Sequence, residues 1–134
     1  MIAGVLAGSE CWEERCRVTL REAADVLKAE AVVAAGEPET ALMGCFAADL
    51  MSDVLALARP GSLLLSGLTT DQTIRTAAIK HVVAVVVIEG KEVGPDMREA
   101  AREHAVPVYR TPLSKYEACG LLMQAGLRPY RKGK

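Results

Sequence analysis

Three apolar runs, each preceded by a segment with helical periodicity, set what this chain can become. They are Gly61-Ser62-Leu63-Leu64-Leu65-Ser66-Gly67, Val82-Val83-Ala84-Val85-Val86-Val87-Ile88 and Val106-Pro107-Val108-Tyr109. Such runs offer no polar face to water, so each reads as a strand buried on both sides. A sheet of that kind needs helices over it. The fold class is therefore α/β, with a mostly parallel sheet flanked by helices on both faces. In such folds ligands sit beyond the carboxyl ends of the strands, so the loops there are where a site is sought.

The 134 residues predict one domain. A chain of this size hides roughly two-thirds of its unfolded surface, enough for a core without metals or disulfides. Aromatic residues are only 4%, so Val, Leu, Ala and Ile must build that core. The formal net charge of −1 argues against general nucleic-acid binding. The basic cluster Arg128, Arg131, Lys132 and Lys134 reads as a solvated tail. No cysteine lies in a C-x-x-C pair, and His81 and His104 fall in separate segments, which argues against zinc. Cys45 and Cys119 read as small core residues, whereas Cys11 and Cys16 fall in a stretch without a clear pattern. With no disulfide framework, a reducing cytoplasm is expected. Met1–Ala7 lacks the basic flank and length of a secretion signal. No apolar stretch reaches the ~18–20 residues of a membrane span.

Residues 1–17 read as an N-terminal extension, 18–127 as the domain and 128–134 as the tail. Thr19-Leu20-Arg21-Glu22 is a capping box, and Leu20, Ala23, Ala24 and Leu27 share one helical face. Short strands are predicted over 31–35 and 42–48, with a turn at Pro38 between them. A helix over 49–58 has Leu50, Val54, Leu57 and Ala58 as its stripe, with Asp49, Ser52 and Asp53 in its first turn. Thr69 or Thr70 caps the next helix, on which Ile74, Ala77, Ala78 and His81 share a face. Pro95 opens another, with Met97, Ala100, Ala101 and His104 aligned. After the strand at 106–110, Ser114 caps a last helix whose buried face is Ala118, Leu121, Leu122 and Ala125, closed by Gly126.

Three strand-end loops are candidate ligand contacts. The first is Ser66-Gly67-Leu68-Thr69-Thr70-Asp71-Gln72, where amides and hydroxyls at a helix start suit an anion. Simple helix capping explains the same residues. The second is Glu89-Gly90-Lys91 and the third Arg110-Thr111-Pro112-Leu113-Ser114. Parallel strands would bring all three to one edge, as a shallow cleft. Asp49 and Asp53 share a helical face, but a helix dipole alone explains acids there. His81 and His104 are expected to be partly buried and hydrogen-bonded rather than ligands. No G-x-x-x-x-G-K-[ST] string occurs: Gly90-Lys91 is followed by Glu92, not a hydroxyl. With no nucleophile–base pair and no metal cluster, catalysis is not expected.

Ala48-Asp49-Leu50-Met51-Ser52-Asp53-Val54-Leu55-Ala56 and Ser66-Gly67-Leu68-Thr69-Thr70-Asp71-Gln72-Thr73-Ile74-Arg75-Thr76-Ala77 resemble stand-alone DRTGG-domain proteins. Gly90-Lys91, Pro107 and Glu117-Ala118-Cys119-Gly120 to Gly126-Leu127 fit the same pattern. The similarity spans about Val18 to Leu127. The name motif would fall at Glu39-Thr40-Ala41-Leu42-Met43-Gly44-Cys45, where only Gly44 is kept. The resemblance implies a relation to the N-terminal domain of HPr kinase/phosphorylase and to the DRTGG domain of CBS-domain pyrophosphatases. It implies a non-catalytic regulatory module without a cofactor, dimeric, sensing an adenine nucleotide or small metabolite. The alternative it implies is a scaffold for a hydrogenase or NADH-dehydrogenase-type redox complex, with no small ligand.

Overall fold

Ser62–Ser66 is buried at all five positions and Ala84–Val87 at all four, which is what two covered faces require. In the computed structural model, which describes residues 18–129, these two runs form the centre of a five-stranded sheet. The expectations for residues 1–17, Cys11 and Cys16, and for tail positions 130–134, lie outside the described residues.

In chain order the elements are α1 (Leu20–Leu27), β1 (Glu30–Val33), β2 (Gly44–Ala47), α2 (Met51–Leu57), β3 (Ser62–Ser66), α3 (Asp71–Ile79), β4 (Ala84–Val87), α4 (Pro95–His104), β5 (Val108–Arg110) and α5 (Lys115–Ala125). The sheet order is β1-β5-β4-β3-β2. Strands β2 to β5 are mutually parallel, with Cys45 opposite Leu63, Leu64 opposite Val85 and Val86 opposite Tyr109. Strand β1 runs antiparallel to β5, with a register shift between Ala31 and Val33. The fold is thus α/β with a mostly parallel sheet.

Alternation along each strand sends side chains to opposite faces. Leu64, Val85, Val87 and Val108 pack under α2, α3 and α4, against Val54, Ile74, Ala77, Met97 and Ala101. Leu63, Leu65, Ala84 and Val86 pack under α1 and α5, against Leu20, Ala23, Leu27, Ala118 and Leu122. Leu63, Leu64 and Leu65 are completely buried, each worth about 1.5–3 kcal/mol of transfer free energy. The α1/α5 layer is pinned at both of its helix starts. Thr19 Oγ1 accepts from Glu22 N–H at 3.2 Å while Glu22 Oε1 accepts from Thr19 N–H at 3.0 Å. Ser114 and Glu117 form the same reciprocal pair at 3.1 and 3.0 Å.

Several expectations are corrected. Helix α2 begins at Met51 with Leu50 at its N-cap, so Asp49 precedes the helix. The shift rotates the stripe: Met51, Val54 and Ala58 are buried and Leu50 is 62% exposed. Thr70 stands at the N-cap of α3 without a side-chain capping bond, so the expected hydroxyl cap is absent there. His81 and His104 are exposed rather than partly buried. Helix α3 stops at Ile79, and His81 follows in a left-handed turn at φ +56°, off the helical face it was assigned to. His104 is the last residue of α4, beyond the buried turn of Met97, Ala100 and Ala101. Cys45 and Cys119, read as small core residues, are partly buried and pack against the α1/α5 core. Burial pushes the Cys45 thiol up to about 12, helped by the Cys119 thiol, and burial also raises Cys119. Among the described residues, no helix is long and apolar enough to cross a membrane.

Candidate functional site

Because β2, β3, β4 and β5 point the same way, their exits share one rim of the sheet. Segment 48–50 follows β2, 67–70 follows β3, 88–91 follows β4 and 111–114 follows β5. The three loops singled out from the sequence therefore lie on a common edge, and a fourth joins them.

That fourth segment supplies the centre of the arrangement. Freed from the helix it was assigned to, Asp49 turns its carboxylate onto the loop after β3. Its Oδ1 accepts from Gly67 N–H at 2.7 Å and from the Ser66 hydroxyl at 3.4 Å. Its Oδ2 lies 3.1 Å from Lys115 Nζ, in the first turn of α5. The Gly67 N–H, followed by Lys115 and Ser66, holds the Asp49 carboxyl below its ordinary value. The Gly67 amide, which was expected to be open to an outside anion, is thus held by an anion of the protein itself.

Ser66 is completely buried and works within the loop: its Oγ also accepts from Leu68 N–H at 3.1 Å. Thr73 Oγ1 donates to Leu68 O at 2.8 Å and straps the loop onto α3. On the other side, Glu89 and Gly90 both adopt left-handed φ, at +58° and +61°. Lys91 N–H closes this tight turn on Ile88 O at 3.3 Å. The reversal brings Lys91 Nζ to 3.3 Å from Gly67 O. A Cβ placed on Gly67 would lie 3.0 Å from Lys91 Nζ and 3.6 Å from Asp49 Oδ1. Glycine lets lysine and aspartate approach from two sides. An ammonium has three donors, so the single acceptor shown for Lys91 here and for Lys115 leaves each with capacity for a ligand oxygen.

The other sequence candidates divide. Thr69 is half-exposed and Thr70 and Gln72 are exposed beside the Gly67 loop. Asp71 is engaged by Arg75 at 3.0 Å along α3. Glu89 is exposed. Arg110 lies 3.9 Å from Glu30 and 3.8 Å from Glu92. Thr111 faces inward: it is completely buried, and its Oγ1 donates to Leu27 O at 2.6 Å and accepts from Leu113 N–H at 3.2 Å. It joins β5 to the end of α1 and offers nothing to a ligand, which corrects its place among the contacts. Lys115 and Asp49 were missed as site residues. Asp49 carried a signal, its place just after an apolar strand, but the helix-dipole reading absorbed it. Lys115 carried none, since its partner is far away in the chain. Among the described residues, no group of three or more His, Cys, Asp or Glu is placed to hold a metal.

No family model and no curated protein matches the sequence. Among solved structures, the chain is similar to the CBS and DRTGG domains of the regulatory region of a Clostridium perfringens pyrophosphatase, crystallised with its activator, diadenosine tetraphosphate. The TM-score is 0.70 at 18% identity over 85% of this chain. The chain spans about half the length of that structure, 49%. At this identity the likeness speaks for architecture, and the architecture is a DRTGG-like α/β fold.

Proposed function

We propose that the chain is a non-catalytic regulatory module that binds an adenine nucleotide, or another small anionic metabolite, at the carboxyl edge of its sheet. One observation carries the reading: Lys91 bonds Gly67 O, and Lys115, from a different segment, pairs with the Asp49 carboxylate that accepts from Gly67 N–H. Two ammonium groups at the rim that carries Thr69, Thr70 and Gln72 suit phosphate oxygens. The similar fold of a regulatory region crystallised with a nucleotide activator supports the nucleotide as ligand class. The reading includes a homodimer, in the cytoplasm. Its support is the exposure of large apolar side chains on two helices, Leu55 on α2 and Tyr116 and Met123 on α5.

The test is isothermal titration of AMP, ADP, ATP, diadenosine tetraphosphate and inorganic tripolyphosphate into the wild type and a Lys91→Met/Lys115→Met double variant. The expected result is a Kd below about 1 mM for at least one nucleotide, weakened at least about tenfold in the variant. Equal affinity in both proteins would remove the site. No binding of any nucleotide would remove the function. Light scattering that returns a monomer mass at high micromolar concentration would remove the dimer.

A further inference from the structure

Helices α1 and α4 turn charged residues to solvent: Arg21, Glu22 and Asp25 on the first, Glu99, Arg102 and Glu103 on the second. Helix α5 differs. Residues 118–127 carry no charge, and Tyr116, Gly120 and Met123, spaced i, i+4 and i+7, form one exposed face. Tyr116 is 89% exposed and Met123 59%. With Leu113 and Leu121 they line a groove of about 510 Å³. Leu55 on α2 is the rival patch, but the exposed polar residues Ser52 and Arg59 flank it. Depletion of charge at the centre of a patch marks an interface. Gly120 points the same way. Glycine inside a helix destabilises it relative to alanine. Among the described residues, nothing apart from its own helix lies within 4 Å of a Cβ built there, so no contact inside the chain calls for glycine.

We infer that the outer face of α5 is the homodimer interface, covered by α5 of a second copy running antiparallel to it, with Gly120 against Gly120 on the twofold axis. The inference rests on the homodimer of the proposed function and assigns its surface. Glycine on the axis lets the two backbones approach closely. Register about that axis sets Tyr116 of each copy against Met123 of the other, an aromatic–thioether pair made twice. It also sets the first turn of each helix, where Lys115 stands, beside the last turn of the other. That last turn has no basic residue of its own, so the partial negative charge of its carbonyls meets the second copy's positive helix start. The area suits a weak dimer. At 89% exposure two copies of Tyr116 offer roughly 270–450 Å², about a third of the ~1,000 Å² of a specific interface, before Leu113, Leu121 and Met123 are added.

Light scattering on the full chain, over a concentration series up to high micromolar, compares the wild type with Tyr116→Asp, Gly120→Leu and Leu55→Asp, each shown to be folded by urea unfolding. Leucine enters open space at position 120 and favours the helix, so Gly120→Leu blocks the backbone approach without harming the fold. The wild type and Leu55→Asp are expected to form dimers of equal Kd, and the two α5 variants to dissociate at least about tenfold more readily. Equal Kd in all four proteins would leave the dimer standing and overturn this interface. Dissociation by Leu55→Asp alone would overturn it in favour of α2. A monomeric wild type would remove the dimer and this inference together, while nucleotide titration still decides the ligand half of the proposed function.

Discussion

The loops after β3 and β5 leave the sheet at the same rim, and both begin with a hydroxyl residue or lie next to one. They do opposite work. After β5, Thr111 turns inward and holds Leu27 O and Leu113 N–H, while Gly90 N–H bonds Thr111 O and Glu89 N–H bonds Leu113 O, each at 2.8 Å. That loop is closed on itself and on its neighbours. After β3, Gly67 stays between Asp49 and Lys91, and Lys115 reaches the same carboxylate. The lesson is that a strand-end position is not enough to make a site. What counts is whether the polar groups there are consumed by the fold or left beside charges facing water.

The sharpest way to break the contrast is at Thr111. Thr111→Val keeps the shape and removes the hydroxyl, leaving Leu27 O and Leu113 N–H without that partner in a buried place. The expected cost is about 1–3 kcal/mol in urea unfolding, with nucleotide affinity unchanged. A stable variant that lost affinity would move Thr111 into the site and dissolve the contrast.

The lysines should behave the other way round. Lys91→Met and Lys115→Met each change stability by no more than about 1 kcal/mol, since exposed ion pairs contribute little. Each weakens nucleotide binding by about tenfold, the size of one charged hydrogen bond. Unfolding and titration on the same preparations give both numbers. A large stability loss with unchanged affinity would make the lysines structural clamps.

The parts of this arrangement that could be read in the chain are those governed by local rules. Strands β3 and β4 announced themselves through unbroken apolar runs, Thr19 through a capping box and Ser114 as a helix cap, and both caps form. Parallel pairing of neighbours then placed three loops on one edge. Long-range pairings left no trace. Asp49 sits 18 residues from Gly67, and nothing in either segment specifies the other. Thr111 meets Leu27 across 84 residues. Its inward turn is decided by the end of α1, which no pattern around Thr111 reveals. Thr73 was missed for a smaller reason: a threonine on a helix near its start reads as neutral, yet its hydroxyl fixes the loop before it.

Gly67→Ala probes the close approach with a smaller effect. Gly67 does not need a left-handed backbone, so the added methyl has only to displace Lys91 Nζ, the far end of a flexible side chain. Stability should change by about 0.5 kcal/mol or less, and nucleotide affinity should fall a few-fold because the ammonium is moved. Unchanged affinity would show that the place of Lys91 beside Gly67 is incidental.

Asp49→Asn gives a small effect on stability and the most telling sign. Asparagine can still accept from Gly67 N–H but no longer attracts Lys115. In the wild type the folded carboxyl titrates below its unfolded value, mainly through Gly67 N–H. Its contribution is therefore fully present above the ordinary aspartate pKa, about 3.9, and is lost as pH falls through the lowered folded value. The wild type should exceed the variant by less than about 1 kcal/mol at pH 7, because the carboxylate is half-exposed to solvent. That gap should close on acidification, as followed by urea unfolding from pH 7 to pH 2. Binding should move in the opposite direction. Removing the negative charge that pairs with Lys115 frees that ammonium and relieves repulsion, so tripolyphosphate should bind the variant several-fold more tightly. Weaker binding in Asp49→Asn would mean that the carboxylate itself grips the ligand, through a ribose hydroxyl or an amine. The rim would then be a mixed polar site, rather than an anion site that its own aspartate holds closed.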